Sequence, residues 1–255
     1  MSRRRTVDRV LARDGELVVE RDPARPTGRL LLARELESSY IDLADETHLE
    51  FDYLRWIRIV LRAVHARRVV HIGGGACALA RALACEWPDG RQEVCELDSG
   101  VLELARRHMG LRRMPGLRVR HADGRQWLST EGDTSWDAVV IDAFLGARIP
   151  RRLITAQALG DVARVAPLGL VNVVDNRERQ QVATVAAGLA EAFPHVWSLG
   201  GRSGNTVVAG AASPLALAPI AAAAAADPLP ATLTGPAEMR RLAAGTVAGR
   251  DPEPV

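Results

Sequence analysis

The chain contains no lysine: all 33 of its basic residues are arginine. Schiff-base chemistry on a lysine, a pyridoxal-phosphate anchor and a lysine-based phosphate loop are therefore excluded. A GC-rich coding bias accounts for the replacement. Cysteine is scarce. Cys77, Cys85 and Cys95 are odd in number and form no C-x-x-C pair, which argues against a disulfide framework and a structural zinc site. His48, His65, His71, His108, His121 and His195 show no metal spacing, so no metal is expected. Aromatic residues make up only 4% of the chain. The basic stretch Arg106, Arg107, Arg112, Arg113, Arg118, Arg120 and Arg125 has no interleaved aromatics on which bases would stack. With a net charge of +2, it reads as a solvated face, and no nucleic-acid partner is expected. Long apolar runs are also missing. The run Ala221–Ala226 is short, weakly apolar and flanked by Pro219 and Pro228, so no membrane partner is expected. With no signal peptide evident, the expected location is a reducing cytoplasm.

What is present fits a folded enzyme-sized chain. Its 255 residues, 47% hydrophobic and 25% charged, suit one large α/β domain with a small appendage. Residues 1–14 are Arg-rich and expected to fray. Glu16–Glu20, Arg29–Ala33 and Ser39–Leu43 read as short strands, with the turn region Asp22–Gly28 between the first two. An amphipathic helix is expected from Thr47 to Val64, with Leu54, Ile57, Leu61 and Val64 facing inward. Glu50 would share that apolar face, which requires a buried partner or a cleft. Five strand–helix units follow, their strands at Val69–Ile72, Glu93–Leu97, Leu117–His121, Asp137–Ile141 and Leu170–Val174. Two further strands, His195–Leu199 and Thr206–Ala209, flank a Gly-rich hairpin. The pattern predicts a doubly wound, mostly parallel seven-stranded sheet. Expected divisions are an N-terminal β appendage over 1–45, a Rossmann-like nucleoside-binding domain over 46–212 and an Ala- and Pro-rich extension over 213–255, with two short helices in the last.

In such a sheet ligands bind beyond the carboxyl ends of the strands. Gly73, Gly74 and Gly75 follow the first strand, where glycines let a ligand and a helix approach closely. Glu96 ends the second strand, in the window where an acid binds ribose hydroxyls. Asp98 is assigned mostly to capping the next helix. Asp123 and Gly124 follow the third strand, where an acid accepts from an adenine amino group or caps a helix. Asp142 ends the fourth strand, where a carboxylate takes a proton or holds a cation, or simply forms a turn. Asp175 and Asn176 follow the fifth, bordering an acceptor pocket or forming a turn. His71 and Cys77 read as core packing.

The run from Val69 to Asp142 resembles the spermidine synthase-like branch of the class I S-adenosylmethionine-dependent methyltransferase fold. The resemblance rests on HIGGG at 71–75, CELD at 95–98, ADGRQWL at 122–128 and WDAVVIDAF at 136–144. The segment Tyr40–Tyr53 resembles that family's junction between its N-terminal β domain and its catalytic domain. The resemblance implies a Rossmann-like methyltransferase fold, a nucleoside half built from Gly73–Gly75, Glu96 and Asp123, and a catalytic aspartate at Asp142. It also implies a homo-oligomer, a homodimer or a tetramer. Two family acids are missing. The one that follows the glycines is replaced in Ala76-Cys77-Ala78, and the one that holds the polyamine falls on Leu145. Arg148, close by, is expected to disfavour a cation further.

The resulting expectation is a transferase using S-adenosylmethionine or decarboxylated S-adenosylmethionine, without a metal. It would move a methyl or aminopropyl group to a small-molecule acceptor less cationic than a polyamine. Asp142 is the expected base, with Glu50, Tyr53 and Asp175 on the acceptor side. Two alternatives stand beside it: a repurposed or non-catalytic relative, such as a cyclase or nucleoside-binding protein, and an NAD(P)-dependent oxidoreductase, which Gly73-x-Gly75-x-x-Ala78 and Glu96 would also suit.

Overall fold

In the computed structural model, which describes residues 9–175, 179–201 and 204–252, the chain begins with a four-stranded antiparallel sheet. Its strands are β1 (Val10–Asp14), β2 (Leu17–Arg21), β3 (Gly28–Ala33) and β4 (Leu36–Asp42). Strand β1 lies where fraying was expected. Its residues pair with β2 through a two-residue turn whose first member, Gly15, has φ +54°. Gly15, at the first of the two turn positions, is the hairpin signal that outweighs the Arg-rich flank. Val19, Leu31 and Ile41 turn one face of this sheet into the core.

Helix α1 spans Asp52–Ala63, so it starts later than Thr47. The reason is local. The Asp45 carboxylate accepts from the Thr47 amide at 2.9 Å and from its hydroxyl at 2.6 Å, which holds the backbone in a turn rather than a helix. Glu50 therefore lies ahead of the helix, exposed, and not on its apolar stripe. Leu54, Ile57 and Leu61 are buried as expected; Val64 is the half-buried C-cap, and Trp56 is fully enclosed.

The main sheet follows: β5 (Arg68–Ile72), β6 (Arg91–Glu96), β7 (Leu117–His121), β8 (Ala138–Ile141) and β9 (Leu168–Val174) are parallel. Strands β10 (His195–Gly200) and β11 (Asn205–Ala211) pair antiparallel at one side. These are the seven expected strands. An eighth, β12 (Thr232–Thr234), adds to β10, giving the order β12-β10-β11-β9-β8-β5-β6-β7. A three-residue Thr-Leu-Thr segment carries too little periodicity to be read from sequence. The order reverses direction between β5 and β8, so a crevice opens there at the strands' carboxyl ends.

Helices α1, α2 (Ala78–Glu86) and α3 (Ser99–His108) cover one sheet face; α4 (Gly124–Thr130), α5 (Ala156–Val165) and α6 (Gln180–Ala192) cover the other. The expected site residue Asn176 lies outside the described residues. After residue 212 the chain adds α7 (Leu217–Ala225), which packs on α1, and α8 (Pro236–Ala243), which packs on α6 and β10. This segment is fastened to the rest. Arg55 chelates Asp227 with contacts of 2.9–3.1 Å, Trp56 donates its indole N–H to the Leu229 carbonyl, and Asp251 receives Thr155 and Arg125. Much of the basic stretch is likewise paired: Arg107 with Glu103, Arg112 with Glu46, Arg120 with Glu93 and Arg125 with Asp161. Among the described residues, no helix is long and apolar enough to cross a membrane.

Candidate active site

The cleft at the carboxyl ends of β5, β6, β8 and β9 has a volume of about 1270 Å³. Strands of the N-terminal sheet and the start of α1 wall it on the outer side.

The glycine loop is shaped by steric need. Gly73 has φ +81°, and a Cβ there would lie 2.4 Å from the Asp142 carbonyl oxygen. Gly75 has φ +50°, and a Cβ would lie 2.4 Å from Ser39 Oγ. Ser39, on β4, accepts from the Ala76 amide at 2.9 Å, so the N-terminal sheet clamps the loop directly. Nothing in the sequence singled out Ser39; its partner is 37 residues away. Gly74 lines the cleft between these two, with its amide turned to Glu96. Cys77 adopts a left-handed conformation at the start of α2, and burial pushes its thiol up to about 12. It is a packing residue, as expected.

Glu96 lies at the cleft but is heavily engaged. Its Oε2 accepts from the amides of Gly74 and Gly75, each at 2.9 Å, and its Oε1 from the Asp98 amide at 2.9 Å. Of about four lone-pair positions on a carboxylate, these use three. Glu96 thus braces the glycine loop while retaining one acceptor position. Asp98 caps α3 through the amides of Gly100 and Val101.

Asp123 caps α4 through the Arg125 and Gln126 amides and is ion-paired with Arg152. Burial raises its pKa, but the Arg152 hydrogen bond and the two amides outweigh this and hold the carboxyl below its usual range. Arg152, in the short 3-10 turn Arg151–Leu153, lines the cleft and was not anticipated. Gly124 is buried at the start of α4, where a Cβ would lie 2.3 Å from an Ile72 methyl.

Asp142 sits at the centre. Tyr53 Oη donates to its Oδ2 at 3.0 Å, and Asn172 Nδ2 donates to its Oδ1 at 2.9 Å. Burial pushes the carboxyl up to about 6, against the lowering effect of these two hydrogen bonds. Burial and the Asp142 charge in turn push the Tyr53 phenol well above its ordinary value. Phe51 stacks on Tyr53 at a centroid separation of 6.0 Å. Tyr53 and Asp142 were both anticipated. Asn172 was not, although a lone amide inside the apolar strand LVNVV was a visible signal, because a buried polar group needs a partner.

The remaining expectations divide. Glu50 borders the cleft and is hydrogen-bonded to His48 at 2.9 Å. Asp175 is not among the cleft-lining residues; its carboxylate accepts from the Val182 amide at the start of α6. His71 is buried and hydrogen-bonded to Gln92, and burial lowers its pKa to about 4, consistent with a core role. Arg148 also stays out of the lining, on a turn closed by the Leu145 amide and the Arg148 carbonyl, while Leu145 is 65% exposed at the cleft mouth.

Electrostatically the cleft is acidic. Nine carboxylates line it against two guanidinium groups, Arg34 and Arg152, each already paired with one of those acids. Two acids are missing from the motifs, yet the cleft as a whole keeps an excess of acidic side chains. Among the described residues, no cluster of three His, Cys, Asp or Glu side chains could hold a metal ion.

The chain matches no protein-family profile. It is 27% identical over 113 residues to the polyamine aminopropyltransferase of Vibrio vulnificus, a stretch covering 42% of this chain and 38% of that enzyme. The match therefore spans well under half of the relative's length. The crystal structure of a probable spermidine synthase from Corynebacterium glutamicum superposes with a TM-score of 0.85 at 27% identity, covering 96% of both chains. Human methyltransferase-like protein 13, solved in complex with SAH, shares the fold: TM-score 0.56, 19% identity, 80% of this chain and 95% of that one. In sequence and in structure, the chain is similar to the spermidine synthase-like branch of the class I S-adenosylmethionine-dependent methyltransferase fold.

Proposed function

We propose that the protein is a transferase using an S-adenosyl sulfonium donor and moving a methyl or aminopropyl group to a small-molecule acceptor. The observation that carries this reading is Asp142: a carboxylate held by two hydrogen bonds at the switch point of the sheet, with its pKa pushed up to about 6 by burial. Residues with perturbed pKa values in a cleft are candidates for proton transfer.

The sulfonium carbon is already electrophilic. The acceptor's lone pair attacks it, the carbon–sulfur bond breaks, and the sulfur leaves as a neutral thioether. The acceptor then carries the positive charge and gives up a proton, which Asp142 takes. The protein's work is to align the two reactants and supply that base. Glu96, with its remaining acceptor position, suits a ribose hydroxyl, and Asp123 suits the adenine side. Gly73–Gly75 and Gly124 allow close approach. The acidic cleft favours the cationic donor. Tyr53 and Glu50 border the acceptor side.

Calorimetric titration with S-adenosylmethionine, its decarboxylated form, 5′-methylthioadenosine and NAD tests the reading. Preference for S-adenosylmethionine favours methyl transfer, and preference for the decarboxylated form favours aminopropyl transfer. Binding of NAD alone overturns the proposal. Asp142→Asn is expected to retain donor affinity within about twofold and to lose at least about 100-fold in turnover against a panel of amine and hydroxyl acceptors.

A further inference from the structure

Asp142 is gripped from two walls that are far apart in the chain. Tyr53 reaches it from the first turn of α1, and Asn172 from the middle of β9. Each takes a different carboxylate oxygen, so together they fix both its position and its rotation about the Cβ–Cγ bond. Asn172 is 1% exposed, and its Oδ1 is buried without a hydrogen-bond partner. An unsatisfied buried acceptor carries a penalty that an apolar residue of the same shape would avoid. Turning the amide over would not remove the problem, because it would set Oδ1 against the carboxylate oxygen. The donor is therefore directed at Asp142, and the orphaned acceptor is its consequence. A strand otherwise made of Leu, Gly and Val has no packing need for an amide at this point.

We propose that Asn172 is a positioning residue of the site: its Nδ2 donor orients the Asp142 carboxylate and preserves its charged form for proton uptake. The role in proton uptake rests on the transferase reading; the grip itself does not. The groups that bear on Asp142 are Tyr53 from α1, Asn172 from β9 and the negative charge of Glu96 from β6. The first two favour its ionised form and the third opposes it. Removing the amide donor therefore moves the protonation midpoint upward.

The experiment compares the wild type with Asn172→Val, Asn172→Thr and Asp142→Asn. Carboxyl carbon NMR follows Asp142 directly, its resonance assigned by its absence in Asp142→Asn. Asn172→Val removes both the donor and the orphaned acceptor, so the fold is expected to persist. Its Asp142 midpoint should rise by about one to two pH units, the size of a hydrogen bond to a charged group. Asn172→Thr, which restores a donor, should recover part of the shift. A purely structural Asn172 would leave the midpoint within about 0.3 units of the wild type, and that result overturns the proposal. Binding of 5′-methylthioadenosine, expected to be unchanged within about twofold, reports separately on the nucleoside half. If the wild type fails to bind it, the transferase reading falls while the titration still decides the role of Asn172. Should Asn172→Val fail to fold, the same measurement on Asn172→Ser and Asn172→Ala decides.

Discussion

Asp142 costs the fold stability at neutral pH. Its folded carboxyl titrates near 6, above the ordinary value of 3.8. The fold thus prefers the protonated form, a preference fully present below about pH 3.8 and lost as the pH rises through 6. The difference corresponds to at most about 3 kcal/mol at pH 8. Asp142→Asn should therefore raise unfolding stability at pH 8 by up to that amount and change it little at pH 4. Urea unfolding at the two pH values checks this; equal effects at both would contradict a buried charge as the cause. The same substitution is expected to abolish transfer. Stability lost at a functional position is a common trade. At this scale sequence and structure agree on where the acids lie and differ on what they touch. Strand ends could be read from alternating apolar runs, which placed Glu96, Asp123 and Asp142 in one cleft. Their partners could not be read so. Arg152 is 29 residues from Asp123, and Tyr53 is 89 from Asp142, separations that no local pattern encodes.

Elements show where local chemistry governs and where it is overridden. The turn joining β3 and β4 puts Arg34 and Glu35 at φ +52° and +66°, a conformation that disfavours side chains with a Cβ. Glu35 does not line the cleft. Glu35→Gly should stabilise the protein by about 1 kcal/mol, seen as a higher urea midpoint with unchanged slope. An unchanged or lower midpoint would show that the turn is not strained. Helix α1 offers the reverse case. Its apolar spacing extends back to Thr47, but the Asp45 turn withholds the first residues and leaves Glu50 outside. Periodicity reports which residues face inward once a helix exists; side-chain bonding to the backbone decides where it begins.

For the whole molecule, the C-terminal segment belongs to the fold rather than trailing from it. It adds a strand to β10, shields Trp56 and gives Arg55 its carboxylate partner. The Asp227 side chain in that pair is only 6% exposed. Removing residues 213–255 would leave Arg55 unpaired, expose the α1 face under α7 and free the edge of β10, a template for aggregation. A chain ending at residue 212 is expected to aggregate or lose its cooperative unfolding transition, judged by size-exclusion chromatography and thermal circular dichroism. A monodisperse truncated protein with the full-length midpoint would refute this. The acidic cleft makes a second statement at this scale. Affinity for a cationic donor should fall as salt rises from about 50 to 500 mM, because exposed charges are screened over about 10 Å or less. Calorimetry with S-adenosylmethionine across that range checks it, and salt-independent binding would rule out the field as a contributor.

The amino-acid sequence by itself determined the alternation of strands and helices, the parallel sheet and the placement of glycines and acids at its carboxyl ends. These follow from short-range periodicity and from the backbone needs of tight turns, which each segment carries alone. Tertiary structure alone decided that β12 is a strand, that β4 clamps the glycine loop through Ser39, and that Tyr53 and Asn172 hold Asp142. Those outcomes depend on which distant surfaces are brought together and closed off from water. Pairing energies and the burial that shifts Asp142 arise only when that closure is complete.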